Sequence, residues 1–85
     1  MIRYDFTRQA ERELLKLPRD LQQRILLKIE YYLSQPRPLT FARQLTGGTK
    51  ALYRFRIGDY RVTFNWEGDC ILILEVGHRR EIYRR

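Results

Sequence analysis

The residues best suited to take part in a reaction lie in the second half of the chain: several arginines, the single histidine and a tyrosine near the end. Arg54, Arg56 and Arg61 lie in a segment that alternates apolar and polar residues, and His78 and Tyr83 follow near the end. Guanidinium groups bind phosphate through forked N–H donors, histidine exchanges protons near neutral pH, and tyrosine can stack on a base or exchange a proton. Cleavage of an RNA backbone needs a group that activates the ribose 2′-hydroxyl, a proton donor for the leaving oxygen, and cations for the charge on phosphorus. The set supplies all of these.

The charge balance also points to nucleic acid. The 85 residues form one domain, 1–85, with a net charge of +7 that comes from 14 Arg and 3 Lys against ten acidic residues. Arginine is preferred over lysine where planar, forked recognition of phosphate is needed. A host that uses arginine everywhere would give the same composition, so the arrangement along the chain has to decide.

The hairpin around Gly58-Asp59 gives that arrangement. A two-residue type II′ turn there places Arg56 opposite Arg61 and Arg54 opposite Thr63, so Arg54, Arg56 and Arg61 (the hairpin arginines) share one face. Opposed arginines repel each other, and no carboxylate stands at the facing positions. We expect a floor that binds phosphate, and truncation of Arg61 is expected to leave the core intact. The alternative is a solvated face that only prevents edge-to-edge aggregation.

Two helices must support this hairpin. Ile2–Phe6 alternates as a short strand, Thr7 is a plausible helix cap, and Pro18 separates two amphipathic segments. Their apolar positions recur at helical spacing: Ala10, Leu14 and Leu17, then Leu21, Ile25, Ile29, Tyr32 and Leu33. The sequence predicts an α+β fold with an N-terminal strand and a helical hairpin packed on one face of an antiparallel sheet.

The remaining segments connect these elements. Pro36 and Pro38 end the second helix, and residues 34–49 are predicted to be an irregular connection. Residues 70–76 are nearly all apolar, as in a central strand, which Gly77 is predicted to end. Alternation places His78 on the face opposite the helices, with the hairpin arginines.

Several classes of protein are disfavoured. The single cysteine, Cys70, and single histidine make neither a disulfide framework nor a convincing metal site, so no metal or other cofactor is expected. Phosphate-binding glycine loops, HExxH and serine nucleophile elbows are absent from the sequence. No apolar run is long enough for a membrane span, and the N-terminus lacks a signal-peptide segment, so we expect a cytoplasmic protein without a membrane partner.

The chain resembles the RelE/ParE superfamily of type II toxins over nearly its whole length. The resemblance rests on Leu14–Pro18 (LLKLP), Tyr53–Val62 (YRFRIGDYRV) and Val76–Tyr83 (VGHRREIY). It implies a RelE-like fold, similar to microbial ribonucleases. It also implies a metal-independent endoribonuclease that cleaves messenger RNA on the ribosome and so inhibits translation, and neutralisation by a cognate RelB-like antitoxin.

The resemblance assigns roles to individual residues. Arg61 and Arg79 match arginines that hold the scissile phosphate, and Tyr83 matches a tyrosine that stacks on or activates the substrate. His78 stands where the bacterial type member has lysine and becomes a candidate acid or base. The nucleic-acid contacts are expected from Arg54, Arg56, Lys50 and Arg80. Known RelE enzymes have lysines at the first two positions, and arginine stays charged, which leaves these two an electrostatic role.

Other functions remain open at this point. ParE-like members of the superfamily inhibit DNA gyrase, and a basic module could also bind RNA without cleaving it. The antitoxin is expected to be acidic or amphipathic. Leu26, Leu27 and Tyr31 on the second helix either form its docking stripe or complete the core.

Overall fold

Two helices pack on one face of a five-stranded sheet in the computed structural model, which describes residues 2–46 and 51–80. The elements in chain order are β1 (Arg3–Phe6), α1 (Arg8–Leu15), α2 (Arg19–Leu33), a 3-10 turn (Pro38–Phe41), β2 (Ala42–Gln44), β3 (Tyr53–Ile57), β4 (Tyr60–Glu67) and β5 (Cys70–His78). The predicted α+β class and the helical hairpin on a sheet are confirmed.

The sheet has the strand order β1-β5-β4-β3-β2 and is antiparallel except at one edge. There β1 pairs in parallel with β5, from Arg3 opposite Cys70 to Phe6 opposite Ile73. A parallel pair needs a long crossover, which the intervening helices provide. The predicted antiparallel sheet is thus confirmed for β2 to β5, and the N-terminal strand joins it in parallel.

The helical hairpin forms where the sequence signals predict it. The Thr7 hydroxyl accepts a hydrogen bond from the Ala10 N–H at 3.1 Å and so caps α1. Helix α1 ends at Leu15, so Leu17 lies in the connection, and α2 begins directly after Pro18. Because proline lacks an N–H, it is well suited to the start of a helix.

One core joins the helices to the sheet. Its buried side chains are Ala10, Leu14, Ile25, Ile29, Tyr32, Leu33, Phe55, Ile57, Val62, Phe64, Ile71, Ile73 and Val76. At its margin the Tyr4 hydroxyl donates to a Glu30 carboxylate oxygen at 2.7 Å, which ties β1 to α2. Burial, followed by the hydrogen bond and the charge of Glu30, raises the pKa of Tyr4 to about 12.

Residues 34–46 contain more structure than predicted. The 3-10 turn packs the Phe41 ring on Tyr32, with ring centroids 4.8 Å apart, and β2 then pairs antiparallel with β3. Three residues are too few to show an alternating pattern, so this edge strand has no signal of its own in the sequence.

Strand β5 departs from regular alternation. Thr63 pairs with Glu75 and Phe64 with Ile73, so Leu74 is an extra residue in a β-bulge. The strand then continues through Gly77 to His78, and the predicted end at Gly77 is wrong. Within the described residues, no helix is long and apolar enough to cross a membrane.

Where β1 ends, the N-cap of α1 and a side chain of that helix form hydrogen bonds with the backbone of β5. The Thr7 N–H donates to the Ile73 carbonyl at 3.0 Å, and the Glu13 carboxylate accepts the Val76 N–H at 2.9 Å. Two backbone groups of β5 that the four-residue β1 does not pair are thus satisfied.

Candidate functional site

The β3–β4 hairpin has the predicted register. Arg56 lies opposite Arg61 and Arg54 opposite Thr63, while Phe55 faces Val62 on the core side. Gly58 has a φ of +59° and Asp59 does not have a positive φ, as a type II′ turn requires. The three hairpin arginines therefore share the sheet face that points away from the helices.

Helix α2 holds this hairpin from the core side. The Tyr32 hydroxyl donates to the Arg56 carbonyl at 3.3 Å, and the Tyr32 ring lies 4.8 Å from Phe55. Phe55 in turn packs on Phe64 at 4.4 Å, which joins β3 to β4. Burial, then the neighbouring Tyr31, raises the pKa of Tyr32. The backbone that carries Arg56 is thus fixed by buried aromatic contacts.

The hairpin arginines differ in their exposure. Arg56 is exposed and Arg54 is half-buried, but Arg61 is only 5 % exposed. Arg61 Nη1 donates to the carbonyls of Gly58 at 3.1 Å and Tyr60 at 3.0 Å, so its guanidinium folds back over the turn. Arg61 therefore stabilises the turn, and its truncation is expected to lower stability while the core stays intact.

Strand β2 adds a fourth arginine to the face. Arg43 is exposed and pairs directly with Arg54 across β2 and β3. We call the face formed by Arg43, Arg54, Arg56 and Arg61 the arginine face. The sequence reasoning missed Arg43 because it predicted no strand in that segment.

The bulge brings a carboxylate to the border of this face. Glu75 pairs with Thr63, whose hydroxyl donates to Glu75 Oε1 at 3.4 Å. The sequence reasoning placed Glu75 only within an apolar run and gave it no role. A polar residue in an otherwise apolar central strand was the available signal. Glu67 lies on the same face only at the far end of β4, so the region around the β3–β4 turn, with its four arginines, stays strongly positive.

His78 lies on the opposite face from the one predicted. It pairs with Tyr60, whose neighbours Val62 and Ile57 belong to the core side, and its ring meets the edge of Tyr60 at 5.5 Å. The extra residue Leu74 shifts the alternation by one, which explains why counting along the sequence failed.

The basic residues after β5 begin at the same end of the sheet as the Gly58-Asp59 turn. Arg79 and Arg80 are exposed and helical, and the Arg79 N–H donates to the Asp59 carbonyl at 2.8 Å. The predicted site residues Lys50 and Tyr83 lie outside the described residues. Among residues 2–46 and 51–80, no group of three or more His, Cys, Asp or Glu side chains could hold a metal ion.

Solved toxin structures share this architecture. A chain of the RelBE2 toxin-antitoxin complex from Mycobacterium tuberculosis aligns with a TM-score of 0.75 and 25 % identity, covering 92 % of this chain and 98 % of that chain. For the archaeal RelE-RelB complex from Pyrococcus horikoshii the values are 0.68, 31 %, 92 % and 94 %. The isolated RelE toxin of E. coli has the same fold, with a TM-score of 0.71, 19 % identity, and coverage of 99 % and 98 %.

The family follows from the sequence match. Residues 4–83 match the family described as the ParE toxin of type II toxin-antitoxin system, parDE. The chain belongs to this family and is a type II toxin of the RelE/ParE superfamily. The sequence has no significant match among curated proteins.

Proposed function

We propose that this toxin is an endoribonuclease that cleaves messenger RNA in the ribosomal A site and so inhibits translation in the cytoplasm. The observation that carries the proposal is the arginine face. Two pairs of arginines stand directly opposite each other, Arg43 with Arg54 and Arg56 with Arg61. Like charges in facing positions cost stability, and a phosphate chain would offset that cost.

In this proposal the arginines bind the RNA backbone and stabilise the charge on the scissile phosphate. Arg43, Arg54 and Arg56 bind backbone phosphates, and Arg61 with Arg79 holds the scissile phosphate. Because Arg61 is 5 % exposed, the substrate must displace neighbouring side chains to reach its guanidinium. Arginine does not exchange protons, so the arginine face supplies binding and charge stabilisation alone.

Proton transfer belongs to other groups. Tyr83, flanked by basic residues, is our candidate for the base that activates the 2′-hydroxyl. A group of the ribosome would protonate the leaving oxygen, since His78 lies on the opposite face of the sheet. Lys50 and Arg80 add phosphate contacts. Because arginines neutralise the charge on phosphorus, the reaction requires no metal ion.

Inhibition of DNA gyrase is the second candidate function. It is favoured by the family match over residues 4–83, since that family is described by a ParE toxin. Binding of RNA without cleavage is the third.

Two assays with the purified toxin distinguish these three candidate functions. Primer-extension toeprinting on translating ribosomes detects cleavage in the A site, and a supercoiling assay detects gyrase inhibition. Cleavage that Arg61→Ala abolishes supports our proposal. Inhibited supercoiling without cleavage supports the gyrase function, and neither activity supports the RNA-binding module.

The salt dependence of RNA binding tests the arginine face itself. The variant with Arg54→Glu and Arg56→Glu should lower the slope of log affinity against log salt by about 1.4, since each single-strand phosphate contact contributes about 0.7. The matched control carries Arg8→Glu and Arg12→Glu, the same charge change on exposed positions of α1. Equal slopes for both variants would refute the assignment of the RNA to the arginine face.

The partner that we propose is a RelB-like antitoxin with an acidic, amphipathic segment. An acidic partner associates quickly with a toxin of net charge +7. On α2, Leu27 and Tyr31 are 66 % and 51 % exposed, whereas Leu26 is half-buried and packs on the core. The docking stripe is therefore narrower than predicted, and the exposed ring of Phe41, 6.2 Å from Tyr31, extends it.

A further inference from the structure

His78 is the last residue of β5 and is held in place on two sides. Its backbone pairs with Tyr60, and its ring meets the Tyr60 ring edge-on at 5.5 Å with an interplanar angle of 83°. The side chain is half-buried on the sheet face opposite to the arginine face. It is therefore ordered, but it points away from the groups that would bind the scissile phosphate.

The imidazole makes one polar contact with the chain that follows it. His78 Nδ1 accepts the backbone N–H of Arg80 at 3.2 Å, and Arg79 and Arg80 are helical. This is the geometry of a helix N-cap, in which a side chain accepts the N–H of the second helical residue. An imidazole nitrogen that accepts a hydrogen bond carries no proton, so the neutral ring must hold its proton on Nε2.

The neighbouring backbone is anchored to the β3–β4 turn. The Arg79 N–H donates to the Asp59 carbonyl at 2.8 Å, and the preceding carbonyl, that of Gly58, accepts from Arg61 Nη1 at 3.1 Å. Arg61 and Arg79 are thus both bonded to the same two-residue turn, one through its side chain and the other through its backbone.

We propose that His78 is a positioning residue and not an acid or base: its neutral imidazole caps the turn that begins at Arg79 and so sets Arg79 and Arg80 beside Arg61. This inference rests on the proposed function for its effect on cleavage, whereas the cap itself does not. In this way a ring that faces away from the arginine face would still act on that site.

Replacing His78 by asparagine distinguishes the positioning role from a role in proton transfer. Asparagine is among the preferred N-cap residues, and its Oδ1 can take the place of Nδ1, but an amide does not exchange protons at neutral pH. In single-turnover cleavage on ribosomes, His78→Asn should stay within about twofold of the wild-type rate. His78→Ala should lose about fivefold or more, because a lost cap lowers the equilibrium constant for the ordered turn by about that factor. Equal, large losses for both variants would overturn the positioning role and restore proton transfer.

Nuclear magnetic resonance tests the cap without any assay of activity. In the full-length toxin, the ¹⁵N shifts of the His78 ring should report the Nε2–H tautomer, and the Arg80 amide should exchange with solvent more slowly than in His78→Ala. A ring protonated on Nδ1, or an Arg80 amide equally fast in both proteins, would overturn the proposal. If the wild-type toxin cleaves no RNA but the cap is observed, the ribonuclease function fails and the cap stands.

Discussion

Replacing Arg61 by alanine should affect stability and activity through separate contacts. The variant loses the two hydrogen bonds from Nη1 to the Gly58 and Tyr60 carbonyls, and a bond with a charged partner contributes about 1.5–3 kcal/mol. It also removes the repulsion with Arg56, which is worth several tenths of a kcal/mol or more. Because one nitrogen makes both contacts and the exposed Gly58 carbonyl can bond to water once it is freed, we count the two contacts as a single such bond. The net expectation is a loss of about 1–2 kcal/mol in the free energy of unfolding.

That loss is measurable but leaves the protein folded. For an 85-residue domain it lowers Tm by roughly 5–15 °C. A domain of ordinary stability, about 5–15 kcal/mol, remains almost fully folded at 25 °C after such a change. The cleavage rate should fall about 100-fold or more, because a cation at the transition state contributes that much. Unfolding therefore cannot account for the loss of activity.

Arg56→Ala is the matched control. Arg56 is exposed, so its truncation should change the unfolding free energy by no more than about 0.5 kcal/mol. Thermal unfolding followed by circular dichroism, combined with toeprinting of both variants, tests the reasoning. An Arg61→Ala protein with the wild-type Tm would refute the role of its hydrogen bonds in the turn. Cleavage at the wild-type rate would remove Arg61 from the active site.

Four further changes should have defined effects. Ultraviolet titration of wild type against Tyr4→Phe should reveal one tyrosine with a pKa of about 12; folding favours its protonated form, so this contribution to stability is complete below about pH 10 and is lost as the pH rises toward 12. In the Glu30→Gln variant this pKa should fall but stay above 10, since burial is the larger cause. Substitution of Leu27 and Tyr31 by serine should weaken antitoxin binding at least tenfold in calorimetry, and unchanged affinity would exclude the docking stripe. Gly58→Ala should lower the unfolding free energy by about 1 kcal/mol in urea, because the φ of +59° is strained for alanine; a stability equal to wild type would argue against the type II′ turn.

The hairpin was predictable because its signals are local. A glycine at the first turn position and strict alternation on both sides determine which residues face each other, so the pairing of Arg56 with Arg61 follows from the sequence. The burial of Arg61 did not follow, because it depends on the side chain folding back onto carbonyls of its own turn.

The errors lie where pairing depends on the rest of the fold. Nothing local marks Ala42–Gln44 as a strand; it forms because β3 offers an unpaired edge. The sheet face on which His78 lies was predicted wrongly for a related reason. The bulge at Leu74 arises from the pairing of two strands and not from the sequence of one. Tyr83 and Lys50 remain predictions of the sequence alone.

The bulge at Leu74 divides β5 into two segments that sequence comparison has to treat separately. Before the bulge the odd-numbered residues of β5 face the core, and after it the even-numbered residues do. A toxin that had lost this one residue would still align over its whole length. Its histidine would nevertheless project from the other side of the sheet, among the arginines. Insertions and deletions in this strand should therefore change the role of the histidine more readily than substitutions do.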